Sequence, residues 1–389
     1  MPYFVGVDVS KWKHDVFIMD GLGEAIKGPF EVKNDSDGFS ALLESLKPLG
    51  DKASVSICME STGHYHKDLS GFLKLHGYIP SIVNPYLISR FAKGVTLRKE
   101  KNDRYDSIAI ARYAFERKPT PSLAGSENLI KLRRLTRVRD KLVRERSDKT
   151  VIITDCLDEI FPEYAKIAKV DSALSLALLE RCPTAKEISS MSVSFREKLR
   201  KVARRASSLK IQNIMDAAKK TVGRPDESLS AIIASQIPIF KAVDNSIDTI
   251  ENEIKAIMAG LDEHVSSIPG IGINSAAAIL GEYGGIKRFS SPSKMLSFAG
   301  LEPSHYQSGQ MDAHGKMVKH GSPHLRYVLM NVAVTVKNYS PVFAAYYLKK
   351  REAEGKKRRV ALSHVAKKLI RVIWKLETSE CDYEEANMR

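Results

Sequence analysis

The chain has 389 residues, and 61 lysines and arginines against 46 aspartates and glutamates give it a formal net charge of +15. A hydrophobic fraction of 43% is that of a globular protein long enough for two or three domains, and the charge fits a polyanionic partner better than a neutral small substrate. No apolar run reaches membrane-spanning length, and Cys58, Cys156, Cys182 and Cys381 lie too far apart for a disulfide framework or a zinc site, so the expectation is a soluble cytoplasmic protein without a membrane partner.

Residues up to about Phe115 read as alternating strands and helices, the order of an α/β layer fold. Phe4–Asp8 is a first strand, and Asp15–Met19 a second after a turn at Ser10–His14. A helix follows over Gly38–Leu49, then the strand Val55–Glu60, a helix near Tyr65–His76 and a short strand at Ile79–Val83. Asp8 and Glu60 each close a short β-branched, apolar run, as buried strands that end in a carboxylate do. Asp103 and Asp106 stand at the head of the helical stretch Asp106–Phe115 and, being three apart, share a face. Carboxylates at strand ends with a carboxylate pair on a later helix are the means by which RNase H-like folds hold two divalent metals. Hard oxygen ligands suit Mg²⁺ or Mn²⁺, and two such ions clamp the attacking and leaving oxygens of a phosphodiester displacement. The set predicts a metal-dependent enzyme acting on nucleic acid, with Asp8, Glu60, Asp103 and Asp106 as its catalytic carboxylates.

From about Leu129 to Glu263 the pattern is helical almost throughout. Leu132–Ile152 is densely basic: Arg133, Arg134, Arg137, Arg139, Lys141, Arg144 and Arg146 surround an apolar line of Leu135, Val138 and Leu142. Such a helix pairs through its narrow stripe while offering cations, Arg133 and Arg137 among them, to phosphate; a solvated surface helix is the plainer alternative. A second basic helix spans Ser194–Lys210. A third, Ser246–Met258, puts Ile247, Ile250, Ile254 and Met258 on one face. These helices suit a coiled coil, antiparallel within the chain or between chains.

The last part begins near Glu263. Ser267-Ile-Pro-Gly-Ile-Gly-Ile-Asn274 has the form of a helix-hairpin-helix, in which Gly270 and Gly272 permit the tight turn and bring backbone N–H groups near a phosphate. Arg326 heads a helix over Leu325–Val336 and is a candidate phosphate contact. Lys356–Arg359 is a cation cluster leading into a helix over Val360–Thr378.

Several strings then occur in a specific order. The N-terminal part carries Gly6-Val-Asp-Val-Ser-Lys11, Glu60-Ser-Thr-Gly63 and Lys101-Asn-Asp-Arg-Tyr-Asp-Ser107. The C-terminal part carries Ile268-Pro-Gly-Ile-Gly272, Phe298-Ala-Gly-Leu-Glu-Pro303, Ser308-Gly309, Lys319-His-Gly321 and Leu325-Arg326. Over essentially the whole chain these resemble the DEDD transposases of the insertion-sequence-110 family, which includes the pilin-gene-inverting recombinases. The resemblance implies an RNase H-like (RuvC-like) α/β domain over 1–118. It further implies a helical, coiled-coil middle over 119–262 for assembly and RNA binding, and a helical C-terminal domain over 263–389. It implies a recombinase that cuts and rejoins DNA at the ends of its own element, guided by an element-encoded RNA, in a bacterial or archaeal cytoplasm at the nucleoid. Asp8, Glu60, Asp103 and Asp106 match the family's metal-binding set, with Mg²⁺ or Mn²⁺ as cofactor. Ser308 matches the serine that attacks DNA and becomes covalently linked to it. Lys319 falls in the family's Lys-x-Gly string and, with Arg326, is expected to contact nucleic acid. Carboxylates and serine combine in the family within a homodimer or homotetramer. Val318 departs from the Ser or Thr common there, so no polar role is expected at 318.

Other classes fit less well. A structure-specific endonuclease, such as a Holliday-junction resolvase, would use the same carboxylates with water and needs neither Ser308 nor a large second domain. An actin-like phosphotransferase would follow its first Asp with a Gly-rich phosphate turn, where this chain has Val9-Ser-Lys-Trp12. A non-catalytic nucleic-acid-binding protein would leave the four carboxylates idle.

Overall fold

The computed structural model describes the chain except for Thr62, residues 96–102, 120–126, 203–207 and 309–310, and Arg389; for residues 95, 103–104, 303–308, 311–316 and 387–388 it describes the backbone alone. Two compact units emerge, Met1–Ala124 and Gly125–Arg389. The first is mixed α/β and the second mostly helical.

In the first unit β1 (Tyr3–Val9), β2 (Lys13–Asp20), β3 (Ala25–Lys33), β4 (Val55–Glu60) and β5 (Ser81–Val83) form one sheet in the order β3-β2-β1-β4-β5. The three hairpin-linked strands are antiparallel, whereas β4 and β5 continue the sheet in parallel with β1. Alternation along each strand sorts the side chains into two layers. Val5, Val7, Val16, Ile18, Ile57 and Met59 pack under α1 (Ser36–Leu46) and α2 (His66–Leu75), which contribute Phe39, Leu42, Leu69 and Leu73. Each fully buried leucine there stabilises the layer by about 1.5–3 kcal/mol. Phe4, Phe17, Met19 and Cys58 face the other way, toward Ile88 of α3 (Pro85–Val95) and Ile110, Ala111 and Ala114 of α4 (Asp103–Arg117).

α4 comes unusually close to the sheet because β1 has no side chain at its centre. A Cβ at Gly6 would lie 2.1 Å from the Ser107 carbonyl oxygen and 2.3 Å from the Ala111 nitrogen. The helix backbone therefore rests on the strand backbone, and its N-terminal turn is held over the end of β1. The strands and helices expected here are present. β3 and α3 were not anticipated: β3 is an edge strand, largely exposed, and its Gly28 and Pro29 read as turn residues.

The second unit is organised by two long helices, α5 (Glu127–Ile160) and, after shorter helices α6 (Tyr164–Ile167), α7 (Ala173–Leu179), α8 (Ala185–Ser189), α9 (Val193–Val202) and α10 (Ser208–Lys219), α11 (Glu227–Ala259). With 34 and 33 residues, each is roughly 50 Å long at about 1.5 Å per residue. They run antiparallel within the chain, the first of the two coiled-coil arrangements that the sequence allows. Arg139 Nε meets Glu251 Oε1 at 2.7 Å and Arg146 Nη1 meets Asp244 Oδ1 at 2.5 Å, one heptad apart on each helix and in opposite directions. One end of the pair enters a core with the short helices, where Ile153 and Leu157 join Ile233 and Ile237. The other end enters a second core, where Leu132 joins Ile254 and Met258. The boundary expected at residue 262 therefore falls inside one unit.

That second core is completed by α12 (Ile273–Tyr283), α13 (Pro292–Ala299), α14 (Pro323–Tyr339), α15 (Pro341–Leu348) and α16 (Arg358–Ser379). A two-stranded hairpin, β6 (Pro303–Ser308) and β7 (Met311–Met317), rises between α13 and α14 in the chain. The turn before α12 is preceded by a three-residue 3₁₀ turn, Val265–Ser267, so a full first helix is not formed immediately ahead of the expected helix-hairpin-helix glycines.

Candidate active site

The strand register assembles the carboxylate face. β1 and β4 run in parallel with Val7 beside Met59, so the next residues, Asp8 and Glu60, follow at the same ends of neighbouring strands, which lie about 4.8 Å apart in a sheet. Both share the face of Phe4, Cys58 and the Cα of Gly6, the face on which α4 lies. Asp106 precedes Ser107, whose carbonyl sits over Gly6, and stands four residues before the buried Ile110, on the packed side of the helix. Asp8, Glu60 and Asp106 are all half-buried. Asp103 begins α4, and its side chain lies outside the described residues. Among the described residues no three His, Cys, Asp or Glu side chains converge as a metal-binding group.

The same register adds an acid that motif reading passed over. The turn in which Ser10 N–H donates to the Lys13 carbonyl pairs Val9 with His14, and hence Asp8 directly with Asp15. Asp15 is 4% exposed and lies on the α4 face with Phe17 and Met19. A hairpin count from the turn at Ser10–Lys13 would have found it.

In the second unit Ser308 closes β6 opposite Met311, at the far end of the hairpin, and its side chain lies outside the described residues. The base of that hairpin is tightly fixed. Gly300 ends α13 in the left-handed conformation (φ 65°), and a Cβ on Gly321 would come 2.2 Å from the Phe298 carbonyl oxygen and 2.3 Å from the Gly300 nitrogen. Val318 N–H donates to Glu302 O and Ser322 N–H to Phe298 O, both at 2.9 Å. Arg326, expected to meet phosphate, directs Nη1 at the carbonyls of Ala299 (3.3 Å) and Lys319 (3.4 Å), tying the two ends of the hairpin together. Lys319 itself is left-handed (φ 56°), a conformation that costs a non-glycine residue.

Beneath this base lies a buried ionic clasp. Glu282 of α12 is 1% exposed and accepts Ser322 Oγ–H at 3.0 Å, Arg137 Nη2–H at 2.9 Å and Arg137 Nε–H at 2.5 Å, with Arg133 Nε 3.7 Å away. Burial would raise the Glu282 carboxyl, but the Arg137 hydrogen bond and the charges of Arg133 and Arg137 hold it below its ordinary value. Ser322 also caps α14 by accepting from Leu325 N–H. The Arg137 fork is thus engaged by Glu282 with Arg133 close by, while the two side chains keep 43% and 47% of their surface exposed. Gly270 takes φ 93°, and a Cβ there would press on the Thr335 backbone at 2.9 Å; Gly272 begins α12 without a side-chain cap.

Comparison with known proteins fits this arrangement. Residues 5–162 match a transposase family model of the DEDD type named for IS110, and residues 262–348 match the model for transposases of the IS116/IS110/IS902 family. The chain is 24% identical to the 44.8 kDa protein of insertion element IS116 from Streptomyces clavuligerus, over 95% of this chain and 93% of that one. It is 23% identical to the pilin gene-inverting protein of Moraxella lacunata, over 95% and 94% of the two chains. It is also 24% identical to the transposase for insertion sequence element IS1111A of Coxiella burnetii, over 97% and 90%. The chain belongs to the IS110 family of transposases. As a transposase it is an enzyme that acts on DNA. Its carboxylates lie in the first matched stretch, and Ser308, Lys319 and Arg326 in the second. Its short helices α7–α10 lie outside both. Among the described residues no helix is long and apolar enough to cross a membrane.

Proposed function

We propose that the transposase cuts and rejoins DNA through attack of the Ser308 hydroxyl on a phosphodiester, assisted by divalent ions that Asp8, Glu60, Asp103 and Asp106 would hold. The observation that carries this reading is the seating of α4 on Gly6, which puts Asp106 on the sheet face where Asp8 and Glu60 end adjacent strands. The strand order, three antiparallel strands continued by two parallel ones, supports an RNase H-like frame. Carboxylate oxygens are the donors that Mg²⁺ and Mn²⁺ prefer. Bound ions supply Lewis-acid polarisation of the phosphate.

Ser308 Oγ bonds to phosphorus as the bond from phosphorus to one deoxyribose oxygen breaks; the serine proton is released and the sugar oxygen takes one up. One phosphate ester replaces another, so the hydroxyl of a partner DNA end reverses the exchange without ATP. The pinned hairpin base fixes where the strand that ends at Ser308 leaves the helical core. A guide RNA and assembly as a homodimer or homotetramer belong to the same proposal, as does phosphate contact at the uncapped start of α12, with Gly270 shaping the turn and Gly272 opening the helix. Lys319 lies beside the hairpin as a further candidate contact. The exposed Arg134, Lys141 and Arg144 of α5 are its cations most open to nucleic acid.

The test is to incubate the protein with element-end DNA, flanking RNA and Mg²⁺ and look for a denaturation-resistant protein–DNA adduct. Wild type should form it, and Ser308→Ala and Asp8→Ala should not. Cleaved ends without adduct, unaffected by Ser308→Ala, would make the enzyme a hydrolytic nuclease of the resolvase type instead.

A further inference from the structure

Between Lys349 and Lys375 the sequence has eleven lysines and arginines and two glutamates, a net +9 of the chain's +15 in 27 residues. The fold brings several of them together along one ridge. α15 ends in a π-helical turn, Lys349–Ala353, and the following loop folds back on it, with Lys356 N–H donating to Lys350 O and Arg351 Nη1–H to Lys356 O, both at 3.0 Å. α16 then begins at Arg358, and His364, Lys367, Lys368, Arg371 and Lys375 recur along one stripe of it at helical spacing. The opposite side of α16, with Val365, Leu369, Ile373 and Leu376, is in the core.

The folded protein gains little from this arrangement. Cations three and four apart on a helix repel by about 0.2–0.5 kcal/mol per pair. Lys356–Arg359 crowd the start of α16, where the helix dipole already places positive charge. Acids are outnumbered here: Glu354 is taken up by Lys350 at 2.5 Å, Glu302 faces Lys367, Glu352 sits in the π-helical turn and Glu385 lines one groove with Lys349 and Lys368. Burial with the neighbouring Arg371 holds the Lys367 amine below its ordinary value, and burial with Lys367 and Lys350 does the same to His364. These cations stand on a rigid support, close enough to feel one another.

We infer that this ridge, the π-helical turn and the cationic stripe of α16, is a docking surface for the phosphate backbone of duplex DNA. A row of cations on a straight helix tracks a backbone without reading bases, so the contact contributes affinity and register and no sequence preference. The inference rests on the family's action on DNA and is independent of the chemistry assigned to Ser308.

The experiment is binding of the full-length protein to a labelled duplex of arbitrary sequence, followed by anisotropy from 50 to 200 mM salt. Each phosphate contact adds about 0.9 to the slope of log K against log salt. The triple variant Lys356→Gln, Lys367→Gln, Arg371→Gln should therefore lower that slope by about 2.7, and wild type should lose about 40-fold more affinity than the variant across the range. A control triple on exposed lysines elsewhere in the unit, Lys166→Gln, Lys186→Gln and Lys219→Gln, should keep the wild-type slope. An unchanged slope in the ridge triple, with an unaltered thermal melt, overturns the proposal. So does a loss seen on an RNA hairpin of equal length and not on DNA, which reassigns the ridge to RNA.

Discussion

Gly6→Ala is the smallest substitution that tests how the carboxylate face is built. The added methyl would meet the Ser107 carbonyl oxygen at 2.1 Å, the Ala111 nitrogen at 2.3 Å and the Ala111 Cα at 2.9 Å. All three are backbone atoms of α4, so no side chain can rotate away; the helix has to retreat by about 1 Å. Overpacking of this kind costs roughly 1–3 kcal/mol, and a rigid obstacle places Gly6→Ala near the top of that range. For a unit the size of Met1–Ala124, about 3 kcal/mol lowers Tm by roughly 12 °C. The retreat also carries Asp106, next to Ser107, away from Asp8 and Glu60. Misplacement by about 1 Å costs on the order of 100-fold in rate. Gly28→Ala in β3, where nothing lies within 4 Å of the new methyl, is the matched control and should stay within about 0.5 kcal/mol of wild type. Thermal unfolding by circular dichroism and cleavage of element-end DNA by gel give the two readouts. A Gly6→Ala protein that melts and cleaves like Gly28→Ala would refute the close seating of α4 and the site built on it.

Two further outcomes concern buried charge. Glu282→Gln leaves Arg137 and Arg133 without their carboxylate and should destabilise the protein by about 2 kcal/mol, less than a fully buried pair because both guanidinium groups are partly exposed. Because the Glu282 carboxyl is held below its ordinary 4.5, that difference is present above pH 4.5 and fades as pH falls through its folded value; urea unfolding at pH 7 and pH 4 checks both points. His14, fully buried beside Phe39, has its pKa lowered by burial, which outweighs the hydrogen bond to Asn34 and the charges of Asp15 and Asp68. Its stabilisation is therefore present above the ordinary 6.5 and declines as pH drops below it, since the unfolded chain takes up the proton first. Melting curves of wild type between pH 7.5 and 5.5 should fall more steeply than those of His14→Gln; parallel curves would mean the buried imidazole does not couple to folding.

What the sequence made legible follows from which signals are local. Asp8 and Glu60 stand out in the sequence because a buried strand ending in an acid is unusual within a few residues, and Asp106 because its helix is regular. Asp15 escaped because its meaning lies in register: only the turn at Ser10–Lys13 sets it opposite Asp8. Gly6 read as part of a motif, but its work is steric and depends on a helix a hundred residues later. Glu282 and Ser322 carry no motif at all; a buried acid in an otherwise apolar helix becomes meaningful only when its partners arrive from α5 and α14.

The basic helix shows the converse, a signal that was visible but underdetermined. Seven cations around a narrow apolar stripe suit a phosphate surface and a coiled coil equally well. The fold divides them. Arg139 and Arg146 meet Glu251 and Asp244 on α11, and Arg137 with Arg133 closes on Glu282, whereas Arg134, Lys141 and Arg144 form no ion pair among the described residues, Arg144 lying over the Tyr327 ring at 5.2 Å. An arginine on a helix has many uses, and long-range partners decide among them. The cations that stay unmatched by acid are concentrated instead on α16 and the turn before it. Net charge favours a polyanionic partner; the distribution of acidic partners, read residue by residue, is what the proposed docking ridge rests on.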